Sequence, residues 1–376
     1  MPKLDFVFFD AGGGHRAAAT ALKQACEKLY PHWEVRLVNL QEVLDSLDIF
    51  RKLTGIRMED VYNLVLRKGW TLGSPQLLVA MHALIRLYHP LQVRELRRFW
   101  GQDAPEVLVS LVPNFNRAIY QALCAVSPKT KMVTALTDLA DYPPNFWIEK
   151  GQDQYFICGT ERAEQQALAM NHAREKVFRV SGMVLNPRFY QPVEVDTAAE
   201  RQSLGLQADL PTGLLLFGGY GSAVMERIAR KLDDSGLKMQ LIFLCGNNEK
   251  LQERIQALKL RMPHRIEGFT SKIPYYMKLS DFLIGKPGPG SISEAIHMGL
   301  PVIVTLNALT LPQERYNAAW VTENKLGLVL KNYGQIVEAV KQLLEPGTLA
   351  LFQANTRKMN NRAVFEIPEL LAKLQQ

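Results

Sequence analysis

Two glycine turns carry the residues of this 376-residue chain that are best equipped for chemistry. The first is Asp10-Ala11-Gly12-Gly13-Gly14-His15, set between the apolar run 4–9 and a helical stretch that opens at Arg16. Three glycines impose a tight turn, leave Gly12, Gly13 and Gly14 open to an acceptor or a phosphate group, and present His15 at the head of a helix. A neutral imidazole there can take a proton from an attacking hydroxyl at physiological pH, and the positive helix end favours the neutral form. A surface histidine beside a helix cap is the plainer reading of the same residue. Thr137-Asp138 closes the apolar run 131–136, so Asp138 is a strand-end carboxylate able to orient His15 or a substrate hydroxyl. The turn is not a GxGxxG fingerprint, and no acid about 20 residues on ends a second strand as a dinucleotide site requires.

The second turn opens the stretch Lys286 to Asn317, KPGPGSISEAIHMGLPVIVTLNALTLPQERYN. Gly288, Pro289, Gly290 and Ser291 follow a buried strand and start a helix, an arrangement that turns backbone N–H groups and a positive helix end toward an anion. Ser291 and Glu294 fit the S-x-x-E capping box, in which the Glu closes the helix start. The competing role for Glu294 is to accept hydrogen bonds from the two ribose hydroxyls of a nucleotide, for which a carboxylate has paired oxygens. Gln313 and Glu314 enter the next helix, either as residues favoured by the macrodipole or as contacts to sugar hydroxyls. Two further glycine turns at strand ends, Gly218-Gly219-Tyr220-Gly221 and Cys245-Gly246, are each as compatible with packing as with an anion site.

The elements that must position these turns alternate strand and helix. Apolar runs at 4–9, 35–40, 107–112, 131–136 and 154–158 are separated by helical stretches, as are those at 213–218, 239–245, 281–285, 300–305 and 327–330. Continuous apolar runs mark strands covered on both faces, hence parallel sheets. A Pro-containing junction at 186–192 separates the two series. The expectation is an α/β protein of two facing Rossmann-like, doubly wound domains, 1–186 and 187–350. A helical insertion at about 41–104 and helices at 351–376 that pack back on the first domain complete it. Ligands of such sheets sit at the carboxyl ends of the strands, here in a cleft between the halves.

With 47% hydrophobic and 22% charged residues the composition is that of a soluble globular chain, and the absence of 18 consecutive apolar residues excludes a spanning helix. A strand that begins almost at Met1 leaves no room for a signal peptide. Cys26, Cys124, Cys158 and Cys245 are scattered without metal-site spacing, which points to a reducing compartment and no metal. Of the net charge of +7, residues 50–100 hold +6, from nine Lys/Arg against three acids. The same segment is rich in leucine. That suits a surface helix on an anionic bilayer, or a helical hairpin packed on its own domain. Nucleic acid is disfavoured because the charge lies among apolar residues with few aromatics.

DAGGGHRAAA, GGYGS, GFTSKIPYYMKLSDFLIGKPGPGSISEAIHMGLP and LPQERYN, in that order, resemble the GT-B glycosyltransferases of family 28. The resemblance is to monogalactosyldiacylglycerol synthases and the N-acetylglucosaminyltransferases that form the lipid precursor of peptidoglycan. It implies an inverting, metal-independent transfer of a hexose, galactose or glucose, from a UDP-sugar to a lipid, 1,2-diacylglycerol, on the cytoplasmic face of a membrane reached through residues 50–100. It further implies His15 as general base, with Asp138 beside it. Gly218, Gly219, Tyr220, Gly221, Gly246, Phe269 and Thr270 fall to the nucleotide; Gly288, Pro289, Gly290 and Ser291 to the diphosphate; Glu294 to the ribose; and Gln313 with Glu314 to the donor sugar. Tyr220, where glycine or serine is common, and the long LTLPQER approach are departures. N-acetylglucosamine transfer to a polyprenyl-linked acceptor and UDP-N-acetylglucosamine 2-epimerisation are the rival readings.

Overall fold

The computed structural model describes residues 1–10, 13–47, 74–142 and 145–375, with the backbone alone for residues 46 and 74–81. Contacts gather the chain into two compact units: Met1–Pro187 with Leu311–Gln313 and Asn361–Gln376, and Arg188–Thr310 with Glu314–Asn360. Each holds a six-stranded parallel sheet flanked by helices, so the α/β, twice doubly wound architecture expected from the apolar runs is present.

In the first unit, β1 (Lys3–Phe8), β2 (Glu34–Asn39), β3 (Val107–Ser110), β4 (Lys131–Ala135), β5 (Tyr155–Cys158) and β6 (Val177–Arg179) lie in the order β2-β1-β3-β4-β5-β6. The winding reverses between β1 and β3, which opens a crevice at their carboxyl ends. Helix α1 (Gly14–Leu29) is alanine-rich and buries Ala18, Ala19, Ala21, Leu22, Ala25 and Cys26, small side chains that let it lie close to the sheet. After α2 (Leu40–Val43), the described part of the basic segment is one helix, α3 (Ser74–Trp100). Leu96 and Trp100 anchor it in the core. The Trp100 indole donates to Asp5, a fully buried carboxylate on β1 that also receives two bonds from Arg36, at 2.8 and 2.6 Å. On the opposite side Leu84, Leu87 and Leu91 are 43, 75 and 37% exposed. The basic residues Arg51, Lys52, Arg57, Arg67 and Lys68 lie outside the described residues. Helices α4 (Asn116–Val126) and α5 (Glu161–Ala169) complete this half.

In the second unit, β7 (Thr212–Leu216), β8 (Gln240–Leu244), β9 (His264–Glu267), β10 (Phe282–Gly285), β11 (Val302–Thr305) and β12 (Gly327–Leu330) run β12-β11-β10-β7-β8-β9. Every residue of β7, β8, β10 and β11 is buried. The edge strand β9, HRIE, is half-buried throughout and polar enough to escape a search for apolar runs, as is the three-residue β6. The winding reverses between β7 and β10, whose register pairs Leu216 with Gly285. Around the sheet lie α6 (Thr197–Ser203), α7 (Val224–Asp234), α8 (Glu249–Gln256), α9 (Ile273–Lys278), α10 (Pro289–His297), α11 (Arg315–Glu323), α12 (Ile336–Leu344) and α13 (Thr348–Lys358). The last helix, α14 (Ala363–Gln375), belongs to the first unit and packs on α1.

Candidate functional site

In the first unit the candidate residues meet at the reversal of the sheet. Gly13 caps α1 with φ at 78°, a left-handed conformation open to glycine at little cost, and its carbonyl accepts the first helical bond from Ala17. A methyl group added at Gly14 would meet nothing within 4 Å, so the space above the turn is open. Gly12 lies outside the described residues. His15, half-buried, brings Nδ1 to 2.9 Å from Thr137 Oγ1, and its ring lies 5.8 Å from the indole of Trp147. That indole donates to Asp138 Oδ2 at 2.9 Å. Desolvation lowers the His15 pKa to about 4, against the pull of the Leu111 carbonyl. The ring is therefore neutral at neutral pH. A neutral ring that donates from Nδ1 to Thr137 keeps a bare Nε2, the nitrogen able to accept a proton.

The loop after β4 that holds this arrangement is itself organised by a buried carboxylate. Asp141 accepts from the main-chain N–H groups of Trp147 at 2.7 Å and Asn145 at 3.3 Å, and burial raises its pKa to about 6. The His15 ring thus bonds to Thr137, and Asp138 accepts from Trp147, whose ring lies beside His15. Neither Trp147 nor Asp141 stood out in the sequence, and Thr137 figured there only as the neighbour of Asp138. Threonine at a strand end and an apolar ring nine residues after an acid carry no signal until the loop has folded.

In the second unit the candidates line the carboxyl edge of the sheet. The β7 turn holds Gly218, Gly219, Tyr220 and Gly221; the β8 turn holds Gly246; Phe269 and Thr270 follow β9; Gly288, Pro289, Gly290 and Ser291 follow β10. The first two turns are pressed together. A Cβ at Gly246 would stand 2.2 Å from the Gly219 carbonyl, and Asn247 and Asn248 donate to the Gly219 and Tyr220 carbonyls at 2.8 and 2.9 Å. Phe269 is 73% exposed, a ring with no protein partner over most of its surface. Gly288, not Ser291, stands at the N-cap of α10, which begins at Pro289 and has no side-chain cap bond. Glu294 therefore lies beyond the first turn, and the capping box read from S-x-x-E is not formed. Burial raises the Glu294 pKa to about 7, while Arg188 draws it down.

Glu314 is 8% exposed, and Lys286, the residue after β10, reaches its Oε1 at 3.3 Å. Gln313 groups with the first unit and Glu314 with the second. Fully buried Asn317 donates to the Pro287 carbonyl at 2.8 Å and fixes the turn from behind. Tyr333 does the same for Gly285, at 2.6 Å. Among the described residues no three His, Cys, Asp or Glu side chains gather as a metal site, and no helix is long and apolar enough to cross a membrane.

Residues 214–371 match the glycosyltransferase family 28 C-terminal domain. That match and the likeness to galactolipid synthases support a UDP-sugar glycosyltransferase, and the two doubly wound sheets give it the GT-B architecture. Over nearly its whole length the chain is similar to plant galactolipid synthases. It is 29% identical to the probable monogalactosyldiacylglycerol synthase 2 of Oryza sativa subsp. japonica, covering 98% of this chain and 79% of that one. It is 27% identical to monogalactosyldiacylglycerol synthase 1 of Arabidopsis thaliana, covering 97% and 69%. Among solved structures, MurG of Acinetobacter baumannii superposes with a TM-score of 0.63 at 14% identity, over 99% of this chain and 100% of that one. UDP-GlcNAc 2-epimerase of Neisseria meningitidis does so at 0.60 and 15%, over 99% of each. These two likenesses establish the fold.

Proposed function

We propose that the protein transfers a hexose, galactose or glucose, from a UDP-sugar to 1,2-diacylglycerol with inversion at the anomeric carbon, as a peripheral protein on the cytoplasmic face of a membrane. The observation that carries the reading is the likeness to monogalactosyldiacylglycerol synthases over 97–98% of the chain. The half-sites are consistent with it. In the second unit Phe269 offers a face to the uracil, Glu294 offers two oxygens to the ribose, and the N-terminus of α10 faces the leaving diphosphate. Gln313 and Glu314 take the sugar hydroxyls. In the first unit His15 Nε2 accepts the proton of the lipid hydroxyl as its oxygen attacks the anomeric carbon. The new C–O bond forms as the bond to the diphosphate breaks, so a single displacement inverts the centre. Asp138 positions the Trp147 ring against His15. Fixed dipoles and Lys286 supply the charge that neutralises UDP, so the step calls for no metal.

The test is product analysis by mass spectrometry, using the full chain, diacylglycerol vesicles and UDP-galactose, UDP-glucose or UDP-N-acetylglucosamine, with and without EDTA. A hexosyl-diacylglycerol made in the presence of EDTA is expected. Product formed only on a polyprenyl-linked acceptor, or turnover of the nucleotide sugar with no acceptor present, would replace this reading with one of its rivals.

A further inference from the structure

The β10 turn holds an ion pair, Lys286 with Glu314, whose pairing to each other the donor reading leaves unexplained. Lys286 leaves the end of β10, and its Cε stands 3.6 Å from where a Cβ at Gly218 would be and 3.3 Å from the same point at Gly288. Its stem thus lies between the two phosphate-type turns at the reversal of the sheet, in contact range of both. Its ammonium is 3.3 Å from Glu314 Oε1, which in turn lies 3.7 Å from the Gly288 point. Glu314 is almost buried, with 11% of its side chain exposed, whereas the Lys286 side chain is 42% exposed. A nearly buried carboxylate needs a counter-charge or hydrogen-bond donors; without either it is costly.

We infer that Lys286 is a two-position cation: paired with Glu314 while the site is empty, and transferred to the diphosphate of the bound donor, which frees Glu314 to accept hydrogen bonds from the sugar. The inference rests on the donor site proposed above and goes beyond it in coupling its two ends. A diphosphate carries more negative charge than one carboxylate, so the ammonium moves to it. The sugar hydroxyls then replace the donors that Glu314 loses, and neither charge is left bare. A nucleoside diphosphate without its sugar leaves Glu314 unsatisfied and is held less well than the complete donor.

Titration calorimetry with uridine, UDP and UDP-galactose on wild type, Lys286→Met, Lys286→Arg and Glu314→Gln separates the possibilities, with melting temperatures as the folding control. Lys286→Met is expected to weaken UDP about 10–100-fold, the size of a lost charge-assisted bond, and to leave uridine unchanged. Lys286→Arg should recover most of that loss. Glu314→Gln releases the lysine in advance, so it should tighten UDP about two- to fivefold while weakening the preference for UDP-galactose over UDP. Wild-type UDP binding that Lys286→Met leaves intact, or Glu314→Gln that fails to tighten UDP, overturns the exchange alone. A wild-type protein that binds none of the three overturns the donor reading with it.

Discussion

His15 is neutral at neutral pH because desolvation outweighs the one carbonyl that favours its cation. In the unfolded chain it binds a proton below about pH 6.5; in the folded protein it does so only below about pH 4. Between those values the unfolded state holds more protons, so stability falls as the pH drops through that window. Calorimetry should show a shallower acid loss of melting temperature for His15→Gln than for wild type. In turnover, His15→Ala should cost about 10²–10⁴-fold in kcat with UDP affinity intact; retained turnover would remove it from the mechanism. Glu294 behaves oppositely. Its carboxyl, raised to about 7, is partly protonated in the empty site, yet ribose hydroxyls need it as an acceptor. UDP affinity should therefore rise with pH up to about 7 and then level, and Glu294→Gln should abolish that part of the dependence.

At the scale of elements, each half-site depends on a turn at the end of a strand. Gly246 is held at φ 60° with the Gly219 carbonyl where a side chain would begin. Gly246→Ala cannot be relieved by a rotamer and should lower the melting temperature and UDP affinity together. Gly14→Ala, which meets nothing, should leave folding intact. Among the described residues, helix α3 carries exposed leucines on one face. Leu84, Leu87 and Leu91 lie exposed at helical spacing, with the exposed Arg94 and Arg98 further along the same helix. Because Leu87 is 75% exposed, Leu87→Glu should change stability by less than about 0.5 kcal/mol. Flotation with anionic vesicles should nonetheless fall markedly for this variant. Unaltered flotation would mean that α3 is not the bilayer contact.

Across the whole molecule, charge is divided unequally: residues 50–100 carry +6 of the net +7. Vesicle association is expected to be steeply salt-sensitive, since exposed charges are screened within about 8 Å at physiological ionic strength. UDP binding, at partly buried groups, should change little over the same range of salt. Binding curves for both ligands at low and high salt on one preparation test that separation.

The chain's own pattern determined the two doubly wound units, because continuous apolar runs admit few structures other than strands buried between helices. It also singled out the glycine turns, since such clusters at strand ends are visible in one dimension. Where the helix starts, which side chain meets which, and how each group titrates were settled only by folding. Ser291 looked like a cap until the helix was seen to begin at Pro289. The edge strand His264–Glu267 was hidden because half-buried strands need no apolar run. Thr137 and His15 are separated by 122 residues, and Lys286 and Glu314 by 28. Spacing in the sequence says nothing about such pairs, because they are made by the order of strands in the sheet.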